Sequence, residues 1–167
     1  MRNLYKNLQD VLEQKIRLYE NFILLLNEEW KCVSKYSYDD LQTIIAKKDD
    51  QVMQMQALEN SRCSLIKKIA GNLNVKSSGL TLKKIIHLKD NPYRVNLSSC
   101  RKKLLSNIQK INILSNKIKS FMDYSALSLK KSIAFVHSED EKANSPYEAN
   151  GQVIEGKFQS KMVSVDA

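Results

Sequence analysis

The chain has 167 residues, which suits one domain or one domain with a tail, and 43% of them are hydrophobic, enough for a real core. With 4 Gly and 2 Pro it lacks the turns that a β-sandwich or a βαβ fold requires, and no apolar run approaches the roughly 18 residues of a membrane span. The net charge of +9 is unevenly spread: residues 1–71 are nearly balanced, residues 72–137 are strongly basic, and the stretch from Ser138 is acidic. Such a distribution favours charge-guided contacts with partners.

In chain order, the spacing predicts a first helix over about residues 3–35. Leu4, Leu8, Leu12, Ile16, Tyr19, Phe22, Ile23, Leu26, Trp30 and Val33 recur in steps of three and four and form one stripe. The opening MRNLYKNLQDVLEQK is amphipathic and mixed in charge, without a signal-peptide core, so a cytoplasmic location is expected. SKYSYDD marks a break in which Ser37 and Asp40 have the spacing of a capping box. A second helix is expected from about Tyr38 to Ala70, on the stripe Leu41, Ile44, Ile45, Val52, Met55, Leu58, Leu65, Ile66 and Ile69, with Gly71 as its stop. A connector punctuated by Gly79 and Pro92 follows. Within it Thr81 to Leu88 can form a short helix with Leu82, Ile85 and Leu88 inward, and Asn91 can cap the next helix with Pro92 at its first position.

The third long helix is expected from about Tyr93 to Val136, on Leu97, Leu104, Ile108, Ile111, Leu114, Ile118, Met122, Leu129 and Ile133. Its final part, KSFMDYSALSLKKSIAFV, is apolar on more than one face, so it either packs on two neighbours or is kept for a partner. The expected fold is all-α: an elongated antiparallel bundle or coiled-coil hairpin with three long helices, a short connector helix and a flexible tail. The body is expected over residues 1–137. Residues 138–167 are polar and turn-rich and read as a flexible acidic tail.

Motifs for chemistry are missing. His87 and His137 have no Ser, Cys or carboxylate at a telling spacing, and there is no Walker-type loop, GxGxxG or GxSxG. Asp39, Asp40, Asp49 and Asp50 lack the glycine turn of a calcium loop, and Cys32, Cys63 and Cys100 are too dispersed for a metal knot. No enzyme activity, cofactor or metal is therefore expected. One rival is nucleic-acid binding by CRKKLLSNIQKINILSNKIK, with Arg101, Lys102, Lys103, Lys110, Lys117 and Lys119. No aromatic interleaves with those cations and no second basic helix accompanies them, which weighs against it. A structural coiled-coil subunit is the other rival; it leaves the two-faced end and the tail without a role.

Several residues together resemble the FlgN family of flagellar export chaperones. In the second helix Leu41, Ile44 and Lys48 give L-x-x-I-x-x-x-K, and Leu58, Glu59 and Arg62 give L-E-x-x-R. In the third, Ile111-Asn112 and then Asn116 before an apolar stretch resemble the family's L-N-x-x-N-x-x-L-L, one residue off in the asparagine spacing. In the tail Tyr147, Gly151 and Gln152 resemble Y-G-x-x-G-Q, with Glu148 in place of the first glycine, and the closing SKMVSV is similar to the family's basic-then-apolar ending. Other small helical type III secretion chaperones share this general build.

The resemblance implies a cytoplasmic chaperone that binds the hook-associated proteins FlgK and FlgL, prevents their premature assembly and hands them to the export gate protein FlhA. Ile111, Leu114, Ile118, Phe121, Met122, Leu129 and Ile133 are the candidate client-binding residues, in a helix-in-groove mode. Tyr147 and Gly151 are the candidate gate-docking residues: Pro146 and the Asn150-Gly151 turn would present the aromatic ring from a solvated, acidic segment. Neither nucleic acid nor membrane insertion belongs to this reading.

Overall fold

A computed structural model describes residues 1–88 and 91–143, with side chains of the last helix described to His137. Among the described residues four α-helices follow in order: α1 (Arg2–Lys35), α2 (Tyr38–Asn72), α3 (Leu82–Ile86) and α4 (Arg94–Ala143), with a 3-10 turn at Ser77–Gly79. There is no strand among the described residues. The chain divides into two units, Met1–Met122 and Asp123–Ala167, and α4 passes from the first into the second.

In the first unit α1 and α2 form an antiparallel hairpin. The reversal is made by Tyr36, which adopts the left-handed conformation at φ 57°. Ser37 N–H donates to Cys32 O and Tyr36 N–H to Val33 O, the paired bonds of a Schellman cap. The second cap corrects the expectation for Gly71. α2 runs through Gly71 to Asn72, and the left-handed residue is Asn74 at φ 53°. Val75 N–H donates to Ala70 O and Asn74 N–H to Gly71 O, so Asn74 occupies the place where glycine is commonest. A short polar side chain tolerates this region, and the glycine is left inside the helix.

The expected capping box is also modified. The Ser37 hydroxyl donates to Asp40 Oδ2 at 2.6 Å, and no side chain caps the α2 N-terminus through a backbone N–H. A carboxylate three residues on is a stronger acceptor for that hydroxyl, while Asp39 and Asp40 stay in the first turn, where the helix dipole favours them. At α3 the Thr81 hydroxyl accepts from Lys84 N–H. Buried Asn91 accepts from Tyr93 N–H and donates to Ile85 O, both at 2.9 Å, and so ties the start of α4 to α3. Proline following an asparagine that satisfies the next free N–H is a stable helix start.

The core sits at the open end of the hairpin. Tyr5, Leu8, Leu12 and Ile16 of α1 meet Ile66, Ile69 and Ala70 of α2, with Leu80, Ile85 and Ile86 from the connector and Leu97 and Cys100 from α4 closing over them. The three cysteines are free, and burial pushes the Cys100 thiol up, away from reactivity. Ile45 and Val52, expected on the inward stripe of α2, are 45% and 50% exposed. They lie one step off the line of Ile44, Leu58 and Leu65, and a narrow helix–helix contact covers only that line.

Candidate functional site

Two ion pairs fix the hairpin's register, and both come from the family-like motifs of α2. Lys48 reaches across to the buried Glu29 of α1 at 2.6 Å. Glu59 receives Arg62 of its own helix, with Nε at 3.0 and 3.1 Å, and Lys15 of α1. The Arg62 hydrogen bonds, opposed by partial burial and aided by Lys15, hold the Glu59 carboxyl down at about 2. Ile44 is buried beside the first pair's level of α2 and Leu58 is half-buried beside the second. These motifs therefore serve the scaffold: charge on one helix matched to charge on the next discriminates against slipped registers. Sequence reading missed Glu29. Its position three residues after Leu26, on the inward stripe, is the signal that marks it.

The first part of α4 lies along α1. Asn96 Nδ2 donates to Gln9 Oε1 at 3.1 Å, and far along both helices the Trp30 and Phe121 rings meet edge to face at 5.3 Å and 76°. The Lys117 ammonium lies 3.8 Å from the Trp30 ring centroid, a close cation–π contact. The two contacts make α4 parallel to α1 within this unit. Leu97, Asn107 and Ile118 are buried, and the amide Nδ2 of Asn107 has no hydrogen-bond partner among the described residues.

The candidate client-binding residues divide on this geometry. Ile118 is only 5% exposed, Ile111 and Leu114 are half-buried on the same inward line, and Phe121 is half-buried against Trp30. Met122 is exposed, and in the second unit Leu129 and Ile133 are 63% and 51% exposed. Leu129, Ile133 and Val136 share one face of α4 by their spacing, and Tyr124 and Leu127 lie on the opposite one; all five are exposed. Tyr147 and Gly151 lie outside the described residues.

No group of three His, Cys, Asp or Glu able to hold a metal occurs among the described residues, and none of the described helices is long and apolar enough to cross a membrane. A register-locked helical hairpin carrying an amphipathic third helix, which then bares two apolar faces, defines an all-helical binding protein. The match to the family described as FlgN protein extends over residues 1–154, and the chain belongs to that family. It is accordingly a flagellar export chaperone, of a family that binds flagellar export substrates. Comparison with curated proteins and with solved structures found no match.

Proposed function

We propose that this chaperone binds the hook-associated proteins FlgK and FlgL in the cytoplasm, keeps them from assembling early and passes them to the export gate protein FlhA. The observation that supports this is the second unit's helix, where Leu129 and Ile133 stand exposed in one line with a second apolar face behind it. A terminal helix of a client, itself prone to self-association, gains by laying its apolar side on such a line. Leu129 and Ile133 are the anchors in this reading. Ile111, Leu114, Ile118 and Phe121 are buried or half-buried in the first unit, with Phe121 held against Trp30 of α1, and serve the scaffold in this reading. Binding does all the work: the chaperone needs neither catalysis nor a cofactor. Tyr147, with Gly151 as the turn beside it, is the proposed FlhA contact.

The test uses the full chain with purified FlgK and FlgL. Leu129→Asp and Ile133→Asp should each weaken client binding at least about fivefold, because loss of a central interface anchor commonly costs 1 kcal/mol or more. Both side chains are exposed, so circular dichroism should stay helical. Normal client binding by both variants would overturn the proposed surface. Tyr147→Ala should leave client binding intact and weaken binding to the cytosolic domain of FlhA; equal affinity for FlhA would remove the docking role.

A further inference from the structure

Within the first unit, α3 and the first turns of α4 enclose a cleft of about 450 Å³ whose walls, among the described residues, carry positive or neutral groups. Lys83 and His87 stand on one side, and Arg94, Arg101 and Lys102 on the other. Asp90, which lies outside the described residues, is the sole acid between residues 72 and 122, and among the described residues no carboxylate lines the cleft. Among the described residues the ion pairs engage Lys15, Lys48 and Arg62, and none of the cleft's cations. The excess is local. A neighbouring cleft between α4 and α1 gathers Glu13, Arg17 and Glu20 of α1 with Lys103 of α4, a balanced set. Like charges held together without a counter-charge cost self-repulsion, which an incoming anion relieves.

The cleft is also partly apolar. Ile86 lies buried at its base, 6% exposed, while Val95 stands at its rim, 78% exposed. A bare phosphate gains nothing from either side chain. An extended nucleic-acid strand requires cations along its path and aromatic rings for its bases. Here the face of α4 that bears Arg94 and Arg101 has its next cation at Lys119, about 27 Å along at 1.5 Å per residue, and among the described residues no Phe, Tyr or Trp lines the cleft. Two arginines present planar forks that suit carboxylates.

We propose that this cleft docks an acidic segment of a partner polypeptide, with two or three carboxylates set around one apolar side chain. The apolar residue meets Val95 and Ile86, and the carboxylates meet Arg94, Arg101, Lys83 and Lys102. This is separate from the client surface of the second unit: either can fail while the other stands.

The experiment is fluorescence anisotropy with the full-length protein and a labelled peptide of glutamates flanking a single leucine. Lys83→Glu with Lys102→Glu reverses two exposed cations of the cleft. Lys47→Glu with Lys68→Glu makes the same change of net charge on exposed positions of α2. The cleft pair should weaken peptide binding at least tenfold and the α2 pair less than twofold. Val95→Asp should weaken it independently, and raising the salt concentration should weaken it in the native protein. Three results would overturn the proposal: no peptide binding, equal loss with both pairs, or a single-stranded oligonucleotide of equal charge that binds more tightly and displaces the peptide. Circular dichroism checks that each variant keeps its helices.

Discussion

One helix, α4, behaves as two different objects. From Leu97 to Ile118 the inward line of Leu97, Leu104, Ile111, Leu114 and Ile118 is buried or half-buried against its neighbours, whereas Ile108, expected on that line, is 39% exposed and Leu105 and Ile113 stand exposed off it. From Tyr124 to Val136 it shows apolar side chains on two sides, and Tyr124, Leu127, Leu129, Ile133 and Val136 are all at least half exposed. The second stretch is the richer in apolar residues and yet the more exposed, so hydrophobic character alone does not decide burial. What differs is geometry: one apolar line fits one groove, whereas two opposed faces cannot both meet a single neighbour. The first stretch supports the scaffold, and the second leaves its apolar area exposed, where the proposed function puts the incoming client.

The sharpest way to break this contrast is to cut the same side chain in both stretches. Leu97→Ala empties a site with no exposure and should cost about 2–5 kcal/mol in urea unfolding followed by circular dichroism. Leu129→Ala, at 63% exposure, should change stability by no more than about 0.5 kcal/mol. Equal effects would show that the two stretches are not distinct.

The hairpin's charge lock gives a smaller effect. Glu59→Gln removes the partner of Arg62 and Lys15 and should destabilise by about 1 kcal/mol at neutral pH, a modest figure because the pair is partly exposed to solvent. It also has a pH signature. The folded state lowers this carboxyl from 4.5 to about 2, so its contribution is complete above pH 4.5 and is lost as pH falls toward 2. Thermal melts between pH 5 and 2.5 should therefore fall less steeply for Glu59→Gln than for the native protein. Parallel curves would remove Glu59 from the acid response.

The smallest effect concerns the hairpin tip. Tyr36 is 79% exposed and holds a left-handed conformation at φ 57°. Tyr36→Gly should stabilise by about 0.5 kcal/mol, a rise in Tm of roughly 1–2 °C, because glycine adopts this region without strain but gives up more chain entropy on folding. A lower Tm would show that the ring contributes contacts worth more than the backbone strain.

Much of the scaffold was legible from sequence. Steps of three and four placed Leu8, Leu12, Ile16, Ile44, Ile66, Ile69, Leu97 and Ile118 on inward lines, and all are buried. The break at SKYSYDD and the role of Asn91 before α4 were equally readable, since capping chemistry acts within a few residues, although Pro92 lies in the turn ahead of Arg94 and not at the helix's first position. The two-faced end of α4 was visible too, because it is a property of spacing alone. Other features needed the third dimension. Gly71 lies inside α2 and Asn74 ends it, because the cap forms where Val75 can reach back to Ala70, and local propensity ranks those two sites the other way. Glu29 is buried because Lys48 arrives from the other arm of the hairpin. The basic cleft joins Lys83 and His87 to Arg94, Arg101 and Lys102 through the fold of α3 onto α4, anchored by Asn91. Periodicity fixes which side of each helix is apolar, a one-dimensional fact. Which charge meets which, and which apolar face stays uncovered, depends on how the helices come together, and only tertiary structure decides that.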